Sequence, residues 1–186
     1  MRVIAGKYRG RKLKSPPHFD TRPTSDRLRE TLFNILAGRI EGARFLDLGA
    51  GTGAVGIEAL SRGAEHVTFV DRSRKMCDLI EVNLRALGIA GEDAETVTAD
   101  ASEYLRRQAK KQKSPFDIIF FDPPYDADYE SVLNQIAEHA AQLMAKDAVV
   151  IVEHYKKRGL SEKFRPLKRY RMLKQGDSVL SFYHIG

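Results

Sequence analysis

Phe45-Leu46-Asp47-Leu48-Gly49-Ala50-Gly51-Thr52-Gly53, continued by Ala54-Val55-Gly56-Ile57-Glu58-Ala59-Leu60, decides the fold. An apolar run ends in glycines and a second apolar segment follows, which reads as strand, tight loop and helix. Gly51, Gly53 and Gly56 have the spacing G-x-G-x-x-G, by itself a weak dinucleotide signal. The next apolar run, His66 to Val70, ends at Asp71, twenty positions after Gly51, where a carboxylate can hold two ribose hydroxyls. An adenosine-containing ligand is therefore expected. Asp47 separates the options, because a carboxylate just before the loop repels a pyrophosphate but suits a ligand bearing an ammonium and a sulfonium. That favours S-adenosylmethionine over NAD.

The alternation continues on both sides. Leu28, Leu32, Ile35 and Leu36 share one face of a helix from an N-cap at Thr24 to about Ala37. After it come strand 44–48, a helix from 54, strand 66–70, helix 73–87, strand 95–98, helix 101–112, strand 116–121, helix 129–144 and strand 148–153. Such units predict a mostly parallel, doubly wound α/β sheet with helices on both faces. Apolar runs at 167–173 and 178–185 around Gln175-Gly176-Asp177 predict an antiparallel hairpin that finishes the sheet. A single domain over 1–186 is expected, with 1–43 appended to its core as a basic hairpin and helix.

Phe116-Asp117-Ile118-Ile119-Phe120-Phe121 has too few polar positions for a half-exposed strand and reads as a central one. Asp122-Pro123-Pro124-Tyr125 then lies at the carboxyl edge of the sheet. The prolines lack an N–H, and each forces the residue before it into an extended conformation, so a carboxylate and a free carbonyl are held in place. An aromatic amine is a poor nucleophile because its lone pair is delocalised into the ring. Two fixed acceptors on its N–H bonds favour the pyramidal form that can attack, and Tyr125 offers a face for stacking the base. Asp122, Pro123, Pro124 and Tyr125 are the expected catalytic residues. Glu153, at the end of strand 148–153, is a candidate for the substrate side.

At 186 residues and 42% hydrophobic, the chain suits one domain burying roughly 70% of its unfolded surface. No segment approaches the ~20 apolar residues of a membrane span and no secretory signal opens the chain, so a cytoplasmic location is expected. Cys77 is the sole cysteine, in a helical pattern with Met76, Ile80 and Leu84, which excludes an internal disulfide and predicts a small core residue. His18, His66, His139, His154 and His184 lack metal-ligand spacing. Charge is segregated: residues 1–44 hold 11 Lys/Arg and 4 Asp/Glu, residues 45–154 hold 11 and 19, and residues 155–186 hold 9 and 2. Basic ends on an acidic core fit a polyanion-binding surface. Arg2, Lys7, Arg9, Arg11, Lys12 and Lys14 cluster around Tyr8, and Gly6 and Gly10 bracket a turn. A hairpin lying along a nucleic-acid backbone is expected, the alternative being a merely solvated arm.

Together these motifs resemble the class I S-adenosylmethionine-dependent methyltransferases that modify amino groups and carry D/N-P-P-Y/F. Met1 to Leu13, Arg22 to Asn34 and Glu58-Ala59-Leu60-Ser61-Arg62-Gly63-Ala64 are similar to the RsmD family, which methylates a guanine N2 in bacterial small-subunit ribosomal RNA. The resemblance covers essentially the whole chain; Gly49 stands where a Phe is frequent, and Tyr125 where Phe also occurs. It implies a Rossmann-like fold and a cofactor site of Arg22, Thr24, Asp47, Gly49, Gly51, Gly53, Asp71, Arg72, Asp100, Ala101 and Asp122. Within that site Asp100 is expected on the adenine amino group, and Arg22-Pro23-Thr24 is expected to cover the cofactor near its carboxylate. It further implies ribosomal RNA or a partly assembled small subunit as partner, with no metal and no membrane. Two other readings stay open. One is an adenine-N6 or similar amino methyltransferase on DNA or another RNA, although 186 residues leave no room for the recognition domain usual in DNA enzymes. The other is a non-catalytic RNA-binding assembly factor, against which Asp47, Asp71 and Asp122 to Tyr125 stand.

Overall fold

Strand β1 (Arg44–Leu48) is buried from Phe45 onward and turns through the glycine loop into helix α2 (Ala54–Ser61), whose residues are all buried. In the computed structural model, which describes residues 1–16, 25–111, 115–123 and 127–186, this unit is the centre of an α/β sandwich. Helix α1 (Asp26–Ile35) precedes it. Strand β2 (His66–Asp71), helix α3 (Arg74–Leu87), strand β3 (Ala94–Thr98), helix α4 (Ala101–Ala109) and strand β4 (Phe116–Phe121) follow, then helices α5 (Tyr129–Glu138) and α6 (Ala140–Leu143). Strands β5 (Met144–Tyr155), β6 (Lys163–Phe164), β7 (Leu167–Gln175) and β8 (Ser178–Ile185) complete the chain.

The eight strands among the described residues form one sheet in the order β3-β2-β1-β4-β5-β8-β7-β6. The first five in that order are parallel and the remaining pairings antiparallel. This is the Rossmann-like arrangement with a reversed terminal hairpin. Parity along the strands explains the two cores. Phe45, Val67, Phe69, Ile118, Phe120, Ile151 and Phe182 face α1, α2 and α3, while Leu46, Leu48, Val70, Ile119, Phe121, Val150 and Tyr183 face α4, α5 and α6. Each such side chain contributes about 1.5–3 kcal/mol by leaving water. Strand order reverses between β1 and β4, the point at which open sheets of this type bind ligands beyond the carboxyl ends of their strands.

Several elements depart from the sequence expectation. Helix α1 begins at Asp26, capped by Ser25, whose hydroxyl accepts from the Leu28 N–H at 3.1 Å, so Thr24 is not the cap. It ends at Ile35 rather than Ala37. The helix expected over 129–144 breaks at His139, which leaves helical geometry at φ −107°, and strand β5 starts as early as Met144. Its extra residues include Asp147 at φ 65°, between the Met144 and Val149 pairings with β4. The two-residue β6 was not anticipated. Arg22 and Thr24, like Pro124 and Tyr125, lie outside the described residues. Cys77 is buried, as expected. Among the described residues, no helix is long and apolar enough to cross a membrane, and no cluster of His, Cys, Asp and Glu could hold a metal ion.

Before α1, residues 1–14 form a hairpin in which the Val3 N–H donates to the Arg11 carbonyl, the Gly10 N–H donates to the Val3 carbonyl and Arg2 bridges Lys12. It is docked, not free. The Ile4 and Ala5 N–H groups donate to the Glu58 carboxylate at 2.8 and 3.0 Å, and those of Lys7 and Tyr8 donate to the Ser61 carbonyl and hydroxyl. Gly6 sits against the Ser61 carbonyl at φ 80°, where a Cβ would collide with that oxygen. Arg29, fully buried, lies 3.9 Å from Glu58 and donates to the Arg2 carbonyl at 2.6 Å.

Candidate active site

The switch point between β1 and β4 opens into a cavity of about 590 Å³. Its floor is the glycine loop. Gly49 and Ala50 N–H groups both donate to the Val70 carbonyl, and the Gly51 N–H donates to Asp71 Oδ2 at 2.8 Å. The other Asp71 oxygen accepts from Ser73 N–H at 2.8 Å, so this carboxylate fixes the loop after β2 as well as the loop after β1. Gly53 is the N-cap of α2 at φ 76° and has no side chain with which to cap it.

Asp47 lies 1% exposed beneath the loop and accepts the Gly56 N–H at 2.9 Å. Burial lifts its pKa from 3.8 to about 7, the Gly56 hydrogen bond opposing and the Asp71 charge adding to the rise. A carboxylate poised in this way is made charged by a nearby cation.

The opposite wall is Asp122-Pro123. The Asp122 N–H donates to the Leu48 carbonyl at 3.1 Å, which fastens the end of β4 to the end of β1. Gly49 has φ 74°, and a Cβ there would stand 2.7 Å from the Asp122 carbonyl oxygen. Glycine at this position therefore allows the cofactor loop and the Asp-Pro strand exit to touch. Phe121 pairs with Val152, so Asp122, just past the end of β4, neighbours Glu153, which is not the end of its strand as expected, because β5 continues to Tyr155 paired with β8; both line the cavity.

The cavity brings together Asp47, Gly49, Gly51, Asp71, Arg72, Asp100, Ala101, Asp122 and Pro123 from the expected set. Asp100 is the N-cap of α4; its Oδ1 accepts from the Ser102 N–H at 2.9 Å. Gly53 does not line the cavity and acts as the helix cap behind it. Arg2, Lys7, Arg9, Arg11, Lys12 and Lys14 are exposed on the docked hairpin, where Arg11 Nη2 donates to the Ala86 carbonyl at 2.8 Å. Sequence reasoning missed Met1, Thr52, Asp128 and Ser131, which also line the cavity. Met1 Sδ accepts from the Thr52 hydroxyl at 3.4 Å. Asp128 and Ser131 come from the first turn of α5, and no motif marks a helix start that folds over a pocket.

A family model described as conserved hypothetical protein 95 matches residues 1–184. The chain belongs to the RsmD family. The family member "Ribosomal RNA small subunit methyltransferase D" of Haemophilus influenzae is 33% identical over 195 aligned positions, spanning 100% of this chain and 92% of that one. The protein of the same name from Escherichia coli strain K12 is 38% identical over 161, covering 86% of this chain and 77% of its own length. The solved structure of Escherichia coli yhhF superposes with a TM-score of 0.84 at 35% identity, covering 98% of this chain and 96% of that one.

Proposed function

We propose that this protein methylates the exocyclic N2 of a guanine in small-subunit ribosomal RNA with S-adenosylmethionine as methyl donor. The observation that carries the reading is the contact of Gly49 with the Asp122 carbonyl, which sets the cofactor loop directly against the amine-binding motif. The names of the family members supply the substrate class. One methyltransferase unit over 1–186, with 1–43 appended, is the matching domain assignment.

The donor set suits this cofactor. Asp71 remains able to accept ribose hydroxyls, since each carboxylate oxygen takes more than one hydrogen bond. Asp100 is assigned to the adenine amino group and Arg72 and Ala101 to its surroundings. Asp47, short of a counter-charge, suits a cationic methionine end. Arg22 and Thr24 are assigned to the carboxylate from sequence alone. When bound, S-adenosylmethionine supplies an electrophilic methyl on a sulfonium. Asp122 and the Pro123 carbonyl accept from the N2 amine, keep its lone pair out of the ring and aim it; preorganised acceptors of this kind need no rearrangement during attack. Tyr125 is assigned to stacking the extruded base. Glu153 supports guanine over adenine. Guanine presents N1–H and N2–H side by side to two carboxylates, whereas adenine puts an acceptor beside its amine and would be repelled.

The test uses small subunits from cells lacking the protein, labelled S-adenosylmethionine and nucleoside analysis of the product. N2-methylguanosine is expected, and Asp122→Ala should reduce the rate by about 10²–10³-fold while cofactor affinity stays within a few-fold. Methylated adenine, or an active Asp122→Ala enzyme, would refute the reading.

A further inference from the structure

Hairpin β7–β8 carries a surface that the cavity does not use. Strand β7 contains Lys168, Arg169, Arg171 and Lys174 and no acidic residue. Its outer side pairs with β6 at Leu167 and Lys168, and the Arg169 N–H donates to the Glu162 carbonyl at 2.8 Å, so among the described residues the stretch from Tyr170 to Gln175 is the margin of the sheet. The register with β8 slips there: Arg169 faces Tyr183 and Arg171 faces Phe182, which leaves Tyr170 as the extra residue of a bulge. Bulges re-aim side chains. Tyr170 is 48% exposed, with its ring 4.8 Å from that of His184 and 6.2 Å from that of Phe182. Arg171 holds its guanidinium 5.9 Å from the Phe182 ring, and Lys168 stands opposite His184.

Protection of a sheet edge explains cations and a bulge. It does not explain the ring, because an aromatic side chain half in solvent raises the association risk that those devices lower. Among the described residues the exposed large hydrophobics are Tyr170, Met172 and Ile185, all on this hairpin. Cations surrounding an accessible ring form the pattern on which single-stranded nucleic acid binds, the cations following phosphates while a base stacks.

We propose that β7–β8 is a second RNA contact, in which an unpaired base of the substrate stacks on Tyr170 while Lys168 and Arg171 hold the flanking phosphates. The inference rests on the proposed RNA substrate. Strand β7 lies three strands from β4, about 14 Å at the usual strand spacing, so one RNA can occupy the cavity and this platform together.

The test measures binding of an unmodified small-subunit ribosomal RNA transcript across a salt series. Tyr170→Ala should weaken binding roughly 5- to 150-fold, as expected for one lost stack, with an unchanged salt slope; Tyr170→Phe should stay within a few-fold of wild type. Lys168→Ala with Arg171→Ala should instead reduce the magnitude of the slope by about 1.4–1.8. S-adenosylhomocysteine affinity should be equal in all variants. The inference fails if Tyr170→Ala binds RNA as wild type does, or if wild type sediments as a dimer that Tyr170→Ala dissolves, since a second copy would then be the occupant. Wild type without affinity for RNA overturns the proposed function and this inference together; silent hairpin variants of an RNA-binding wild type overturn the inference alone.

Discussion

Asp47 shows how one buried carboxylate can register its ligand. At a pKa of about 7 it is close to half protonated at neutral pH. A cationic ligand favours the ionised form, so binding should release a proton. Calorimetry at pH 7 in buffers of different ionisation enthalpy should show about half a proton released per S-adenosylmethionine bound, with affinity rising between pH 6 and 8; Asp47→Asn should abolish the linkage. Stability without ligand follows the opposite course. The folded value lies above the ordinary 3.8, so the favourable contribution is complete in acid and is lost as pH rises, being gone above about 7. Asp71→Ala should weaken cofactor binding by roughly 1–3 kcal/mol, and because Asp71 also holds Gly51 and Ser73, Asp71→Asn is the informative companion. The types and places of these acids were legible, since each ends an apolar run. That Asp47 is buried against Gly56 was not, because burial depends on how α2 crosses β1.

At the scale of elements, the amino-terminal hairpin is held by its backbone and by one charge cluster. Glu58, fully buried, accepts from Ile4, Ala5 and Arg62 and faces the fully buried Arg29. Breaking a buried pair leaves the partner charge in low dielectric, but Arg29 keeps its bond to Asp26 at 3.0 Å, so Glu58→Gln should cost about 3 kcal/mol, the lower end for such a loss. Removing the exposed Arg74–Asp78 pair should cost at most about 1 kcal/mol. Denaturant midpoints of the two variants make the comparison, and the Ile4 and Ala5 amides should lose hydrogen-exchange protection only in Glu58→Gln. Gly6 and Gly10 revealed the turn in sequence, and the apolar periods revealed five parallel strands and the final hairpin. The docking was hidden because Glu58 reads as one more polar residue within a helix. The break at His139 and the start of α1 were hidden for another reason: local propensity there differs little between neighbouring residues, and tertiary contacts choose.

At the scale of the whole molecule, basic ends flank an acidic core, and the fold decides what that segregation can do. The amino-terminal hairpin does not reach away from the body. It is fixed to α2, and its first residue, Met1, lines the cavity. Phosphates lying along the hairpin, from Arg9 in the turn beside Ser61 to Lys12 opposite Arg2 and next to Met1, would therefore lead toward the site with no need to order a loose arm first. If the hairpin grips RNA, replacing Arg9, Arg11 and Lys12 together with Ala should weaken RNA binding. The slope of log affinity against log salt should lose about 0.7–0.9 in magnitude for each phosphate contact removed. Arg11 contributes least if its bond to the Ala86 carbonyl persists, so Arg9→Ala with Lys12→Ala should reproduce most of the effect. Cofactor affinity should not change, because none of the three side chains lines the cavity. A merely solvated arm predicts wild-type affinity and slope. That outcome would leave the carboxyl-terminal hairpin as the main phosphate-binding surface and would make the Lys168 and Arg171 double variant the more damaging of the two.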